Sequence, residues 1–199
     1  MGSGAYYVQT CPFGEGSSVR MIWLATPPAN LGPSPAALAR RALARIRLEG
    51  ARIGIAPDPN GAGLIGLPVW LWTAVTANTW GPTTASASDG GLTVTITGRA
   101  TQIVWNMGDG SSVTCANPGT PYQASYGAAR SPNCGYPAAG DNGPGYHLPS
   151  RTQPDGRYHI TATTSWRVEW VGGGQHGVIN TTRTSQTAIR IDELQVAVS

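Results

Sequence analysis

The chain contains no lysine. All 13 of its basic side chains are arginines, so the phosphate-binding loop Gly-x-x-x-x-Gly-Lys-Ser/Thr cannot be written in it, and nucleotide binding of that type is excluded. Charge of either sign is sparse, at 12% of 199 residues with a formal net charge of +3. The arginines are scattered, which leaves no basic stripe of the kind that tracks nucleic acid. No apolar run is long enough to span a bilayer as a helix. Cys-x-x-Cys, His-x-x-x-His and Asp-x-Asp-x-Asp spacings are all missing, so no zinc or calcium site is marked and no cofactor is expected. The Gly-x-Ser-x-Gly elbow of serine hydrolases is absent, and His147, His159 and His176 stand at no spacing that marks a base. Phenylalanine occurs once, whereas tryptophan occurs seven times.

What is present is turn chemistry and β-branched alternation. With 27 glycines and 16 prolines the chain is heavily punctuated, and the segments between read mostly as strands. Ala5-Tyr-Tyr-Val8 and Val19 to Leu24 are short strand candidates. One helix is predicted over about 35–48: Ser34 suits the N-cap, Pro35 the first turn, and Leu38, Ala42, Leu43 and Ile46 form a stripe, with Gly50 available as the stop. Arg40, Arg41, Arg45 and Arg47 then fall on its solvated face. Arg52 to Ile55 reads as a strand fragment. Leu67 to Val75 alternates Val69, Leu71 and Thr73 with Trp70, Trp72 and Ala74, so it is apolar on both sides, as a central or covered strand is. The polar run from Thr76 through Gly91 is the expected boundary between a small α+β segment, residues 1–80, and a β-sandwich, residues 81–199.

In the second part, Leu92 to Thr97, Gln102 to Trp105 and Ser111 to Cys115 read as strands. Arg157 to Trp170 is a half-buried strand of unusual length, with Tyr158, Ile160, Ala162, Trp166, Val168 and Trp170 on one face. Gly172-Gly-Gly174 breaks it, and Val178 to Thr184 and Thr187 to Val198 supply the last strands. Residues 116–155 form a long irregular insertion, too long for a plain turn. Cys115 and Cys134 bracket the first half of it. A disulfide between them closes a loop of about 20 residues and contributes roughly 3 kcal/mol in the chain-entropy model, the alternative being two reduced buried thiols. Cys11 is left over. Met1-Gly-Ser-Gly4 reads as a cloning scar, so the natural N-terminus is expected upstream.

Two resemblances follow from these residues. Trp105-Asn-Met-Gly-Asp-Gly110 resembles the Trp-Asp-Phe-Gly-Asp-Gly hallmark of PKD domains, immunoglobulin-like modules of secreted and cell-surface proteins. Asp155-Gly-Arg-Tyr-His-Ile-Thr161 is similar to the Gly-x-Tyr-x-Val-x-Leu strand of that family. Asn106 and Met107 stand where the family usually has Asp and Phe. The resemblance implies a mainly β, PKD/immunoglobulin-like sandwich in which Trp105, Gly108, Asp109, Gly110 and Tyr158 are structural. Asp109 needs only its role as a turn former whose side chain bonds its own backbone. Gly4 to Pro12, Pro68-Val-Trp-Leu-Trp72, Gly119-Thr-Pro-Tyr122, Ser131-Pro-Asn-Cys-Gly135, Gly172-Gly-Gly-Gln175 and Glu193-Leu-Gln195 look like segments of secreted proteins from Streptomyces and relatives. Members of that group are often described as ATP/GTP-binding, which a chain without lysine contradicts. That resemblance implies secretion from a longer precursor, with the partner of Cys11 lost by truncation.

The function expected is a secreted, non-catalytic binding or scaffolding module of the cell envelope or extracellular space. Its partner is a polysaccharide or a protein, with self-assembly as a variant, and no nucleic acid or nucleotide is expected. Tyr122, Tyr126, Tyr136 and Tyr146 are the candidate binding residues, because scaffolded loops are where recognition concentrates. Trp70 and Trp170 join them, since aromatic rings on a strand face can stack on sugars. The competing reading is a secreted hydrolase with a site between the two segments, for which Asp109 and His159 are the residues to test.

Overall fold

Alternation of β-branched with small polar residues puts half of the described residues in strands. The computed structural model describes residues 4–13, 16–26, 32–137, 143 and 145–193, and of residues 11–13 and 16–17 the backbone alone. In chain order the elements are β1 (Ala5–Phe13), β2 (Gly16–Leu24), α1 (Pro35–Leu43), β3 (Ile53–Ala56), β4 (Ala62–Leu64), β5 (Val69–Thr73), β6 (Thr83–Asp89), β7 (Leu92–Asn106), β8 (Ser112–Cys115), β9 (Gly135–Tyr136), β10 (Tyr158–Gly172) and β11 (Gln175–Asp192). The fold is mainly β, with one α-helix among the described residues.

A large sheet runs β4-β11-β10-β7-β6, with β8 pairing the second half of β7. All of its pairings are antiparallel except the parallel contact of β4 with the end of β11. A second sheet, β3-β5-β9, is small and antiparallel. Its middle strand, β5, is the one whose sequence is apolar on both sides, as a covered central strand requires.

Strand β7 changes the face it presents partway along. Val94, Ile96 and Ala100 are buried, and so are Ile103 and Trp105, although a strict period of two would place the second pair on the opposite side. Opposite β10 the register slips between Ser165 and Trp166, so that Ser165 meets Gln102 while Trp166 meets Ala100. Thr101 is the extra residue of a β-bulge that restores both halves of β7 to one face.

That one face carries two cores. Near the Trp105 end, Ile103, Trp105, Ile160, Ala162, Ile189 and Ile191 pack against Ile55, Val69 and Leu71 of the small sheet, which is sandwich packing. Near the β10–β11 hairpin, Val94, Ile96, Trp166 and Val168 pack against Leu38, Ala39 and Ala42 of α1 and against Leu48. Each fully buried aliphatic side chain contributes about 1.5–3 kcal/mol. Both cores draw residues from each side of position 80.

Helix α1 starts as its sequence predicts, with the Ser34 hydroxyl accepting the Ala37 N–H at 3.2 Å. It ends at Leu43, a turn before the expected 48, because Leu48 leaves helical spacing to plug the sheet. There its carbonyl accepts Arg183 Nε at 3.1 Å, and the Glu49 carbonyl accepts the Trp166 indole N–H at 3.0 Å. The polar run expected as a boundary contains strand β6. The two C-terminal strand candidates are one continuous strand, β11, and residues 194–198 of that expectation lie outside the described residues. So does the Cys11 side chain.

Candidate functional site

The segment after β8 folds back over the outer face of the small sheet. Cys115 ends β8 and Cys134 precedes β9, and their disulfide joins the large sheet to the small one. Between them the chain is pinned to β5: Thr73 N donates to Pro118 O at 2.8 Å, and Leu71 N to Cys134 O at 3.1 Å. Asn117 braces the loop, accepting Gly119 N at 2.9 Å and donating to Asn133 O at 3.2 Å.

Trp70 points outward from β5 into this loop. Its indole N–H donates to Ala129 O at 2.7 Å. Tyr126, which ends a short 3-10 turn, Ala124–Tyr126, stacks on it at 5.0 Å with the planes 5° apart. Tyr122 meets Trp70 edge-on at 5.4 Å, and its hydroxyl donates to Gly127 O at 3.0 Å. The outcome is a layered platform: Trp70 is buried at 3% exposure, while Tyr126 remains 38% exposed. Parallel and edge-on contacts of this kind add about 0.5–1.5 kcal/mol per pair and hold the rings in fixed planes. Beside the platform lies an apolar cleft of about 230 Å³, lined by Pro57, Leu64, Leu67, Trp70, Tyr122 and Ala128 among others.

Three of the six candidate binding residues therefore share one site. Tyr136 and Tyr146 belong elsewhere, and as surface ligands they are corrected by their burial. Tyr146 is 1% exposed, stacks on Tyr158 at 4.1 Å, and donates its hydroxyl to Met107 O at 2.7 Å. Tyr136 is also buried and donates to Asp109 Oδ2 at 2.8 Å. Trp170 rests on Gly177, its partner across the β10–β11 pair, where its ring fills the space a side chain would take. It lies on the core face of β10 with Trp166 and Val168, partly buried against the core under α1, and adjoins a groove of about 410 Å³ formed with the outward Arg167 and Glu169 and with His176.

No family model, curated protein or solved structure matches the chain.

Three residues of the Trp105 motif are tied into the fold. Trp105 is fully buried between the sheets. Gly108 holds φ at +81°, and a Cβ there would come within 2.6 Å of the His159 carbonyl oxygen. Asp109 Oδ1 accepts the Ser111 N–H at 2.9 Å while Oδ2 takes the Tyr136 hydroxyl, so both carboxylate oxygens are engaged.

His159 Nε2 lies 2.6 Å from Asp155 Oδ2 on the exposed side of β10, and this hydrogen bond holds the Asp155 carboxyl below its ordinary range. Among the described residues no serine, threonine or cysteine is hydrogen-bonded to His159, and no three His, Cys, Asp or Glu side chains stand close enough together to hold a metal. Pro57, Leu64 and Leu67, which line the cleft, carried no signal in the sequence. They reach it because β4 pairs in parallel with a strand more than 120 residues away, Arg190 standing opposite Ala62.

Proposed function

We propose that the chain is a non-catalytic binding module that recognises a polysaccharide of N-acetylated sugars through the Trp70–Tyr122–Tyr126 platform. The carrying observation is Tyr126, an exposed ring held flat on a buried tryptophan beside an apolar cleft. A pyranose presents a flat C–H face that stacks on such a ring, and a fixed ring spends little conformational entropy on binding. The cleft suits the methyl of an acetamido group, since its lining includes the apolar side chains of Pro57, Leu64, Leu67 and Ala128. The PKD-like reading is supported by the buried Trp105, the Gly-Asp-Gly turn and Tyr158 at the start of β10. A secreted or cell-envelope location is supported by the Cys115–Cys134 disulfide, since such bonds persist in oxidising compartments.

The test is co-sedimentation with actinobacterial cell walls and with chitin, comparing the wild type with Tyr126→Ala. Binding is expected to be saturable and to weaken roughly five- to tenfold in the variant, the worth of about 1–1.4 kcal/mol of stacking. Circular dichroism should be unchanged, because Tyr126 supports neither core. Binding that is identical in the two proteins would sink the platform, and capture of a protein from the wall preparation in place of glycan would sink the polysaccharide.

A further inference from the structure

Strands β1 and β2 pair only with each other among the described residues. Their register sets Tyr6 opposite Trp23, Val8 opposite Met21 and Thr10 opposite Val19. Successive side chains alternate across a strand, so these six share one face. Five of them are large and apolar, and all are open to solvent: Tyr6 71%, Val8 65%, Val19 65%, Met21 72% and Trp23 49% exposed. No charge interrupts the face. The one charged side chain among the described residues of the hairpin, Arg20, lies on the other side, where its Nε donates to Gln9 Oε1 at 2.8 Å.

A lone two-stranded hairpin is marginal in water, and an apolar face of this length on it is an interaction surface unless it is covered. The area indicates what covers it. Residues of these types at these exposures leave about 600 Å² of surface per copy, so two copies face to face bury up to about 1,200 Å², the lower end of the range of specific protein interfaces. The face is also suited to itself. A two-fold axis through its middle lays Trp23 and Tyr6 of one copy over Val19 and Thr10 of the other, matching bulky ends to slender ones at the usual spacing of stacked sheets, about 10 Å. We propose that the hairpin is a self-association arm whose Tyr6, Val8, Val19, Met21 and Trp23 face packs on the same face of a second copy. The arm is separate from the Tyr126 platform and stands or falls without it.

Sedimentation velocity of the full chain over a range of concentrations tests this. The wild type is expected to dimerise reversibly, and Val8→Glu or Met21→Glu to weaken self-association roughly tenfold or more, since each places a charge in the buried face. Two controls separate loss of the interface from loss of the hairpin: Gln9→Glu puts the same charge on the opposite side, and Met21→Leu keeps the face apolar. Both should remain dimeric. The proposal is overturned if the wild type stays monomeric throughout, if dimers persist unchanged in Met21→Glu, or if Gln9→Glu abolishes them equally. A monomer that floats with neutral phosphatidylcholine vesicles overturns it as well, in favour of a lipid surface.

Discussion

Tyrosine hydroxyls decide where the irregular segment between β8 and β10 comes to rest. Tyr158 donates to Leu148 O at 3.0 Å, Tyr146 to Met107 O, and Tyr136 to Asp109, so three rings that stack or meet edge-on in the core each tie off a polar group that burial would otherwise leave without a partner. Burial raises the Tyr146 hydroxyl well above the ordinary tyrosine range, and the nearby Asp109 carboxylate adds to the effect. Tyr136 is raised for the same two reasons in the same order, against a lowering contribution from Ser111. In the unfolded chain both groups lose their protons near pH 10, while in the folded chain they keep them to higher pH. The stability they contribute is therefore complete below about pH 10 and declines as pH rises from there towards their folded values. An ultraviolet titration of tyrosinate should show two groups that ionise later than the rest, Tyr146 the later of them, and Tyr146→Phe should remove one. Two late groups in the Tyr146→Phe protein would show that the assignment is wrong.

The disulfide and the bulge are the devices that set the strands against one another. Cys115 and Cys134 are 19 residues apart, and replacing both with serine should cost about 3 kcal/mol by releasing the loop in the unfolded chain. The platform should suffer first, because the segment that carries Tyr122 and Tyr126 is held between Pro118 and Cys134. Chemical denaturation together with the cell-wall assay checks this: the expected result is a lower midpoint and a loss of binding at denaturant concentrations where the wild type still binds. An unchanged midpoint would show that the bond constrains nothing. The pairing itself could be read from position, since one cysteine closes a strand and the other ends a stretch too irregular to hold itself. Alternation likewise located β5 and β10. The bulge at Thr101 could not be read, because Leu92 to Thr97 and Gln102 to Trp105 each alternate cleanly, and only pairing with β10 shows that they are one strand with one spare residue. The four loop tyrosines looked alike for a similar reason. Gly- and Pro-rich surroundings say that a ring sits in a loop, but whether the loop lies over a sheet or beneath it depends on contacts distant in sequence, such as Tyr146 with Met107.

Composition draws a boundary near residue 80, yet the packing crosses it twice. The large sheet buries one face, and most of what covers that face comes from between residues 32 and 80, α1 and Leu48 over one end, β3 and β5 over the other, with β9 and its flanking Cys134 and Tyr146 completing the first core. A chain of residues 81–199 would keep β6, β7, β8, β10 and β11 but leave Val94, Ile96, Trp166 and Val168 facing water, together with the half of the first core that meets Val69 and Leu71. An open sheet with a bare apolar face has no means of repaying its conformational entropy. That fragment is therefore expected to aggregate, or to bind a hydrophobic dye without a cooperative thermal transition, whereas a fragment of residues 32–199 should melt cooperatively near the temperature of the full chain because β1 and β2 contribute to neither core. Differential scanning calorimetry of the two fragments decides the matter. A cooperative transition from 81–199 alone would mean that the sandwich is a self-sufficient unit and that the preceding residues merely decorate it. Its absence would mean that helix, small sheet and large sheet fold as one body, so that the Tyr126 platform exists only when residues on both sides of position 80 are present.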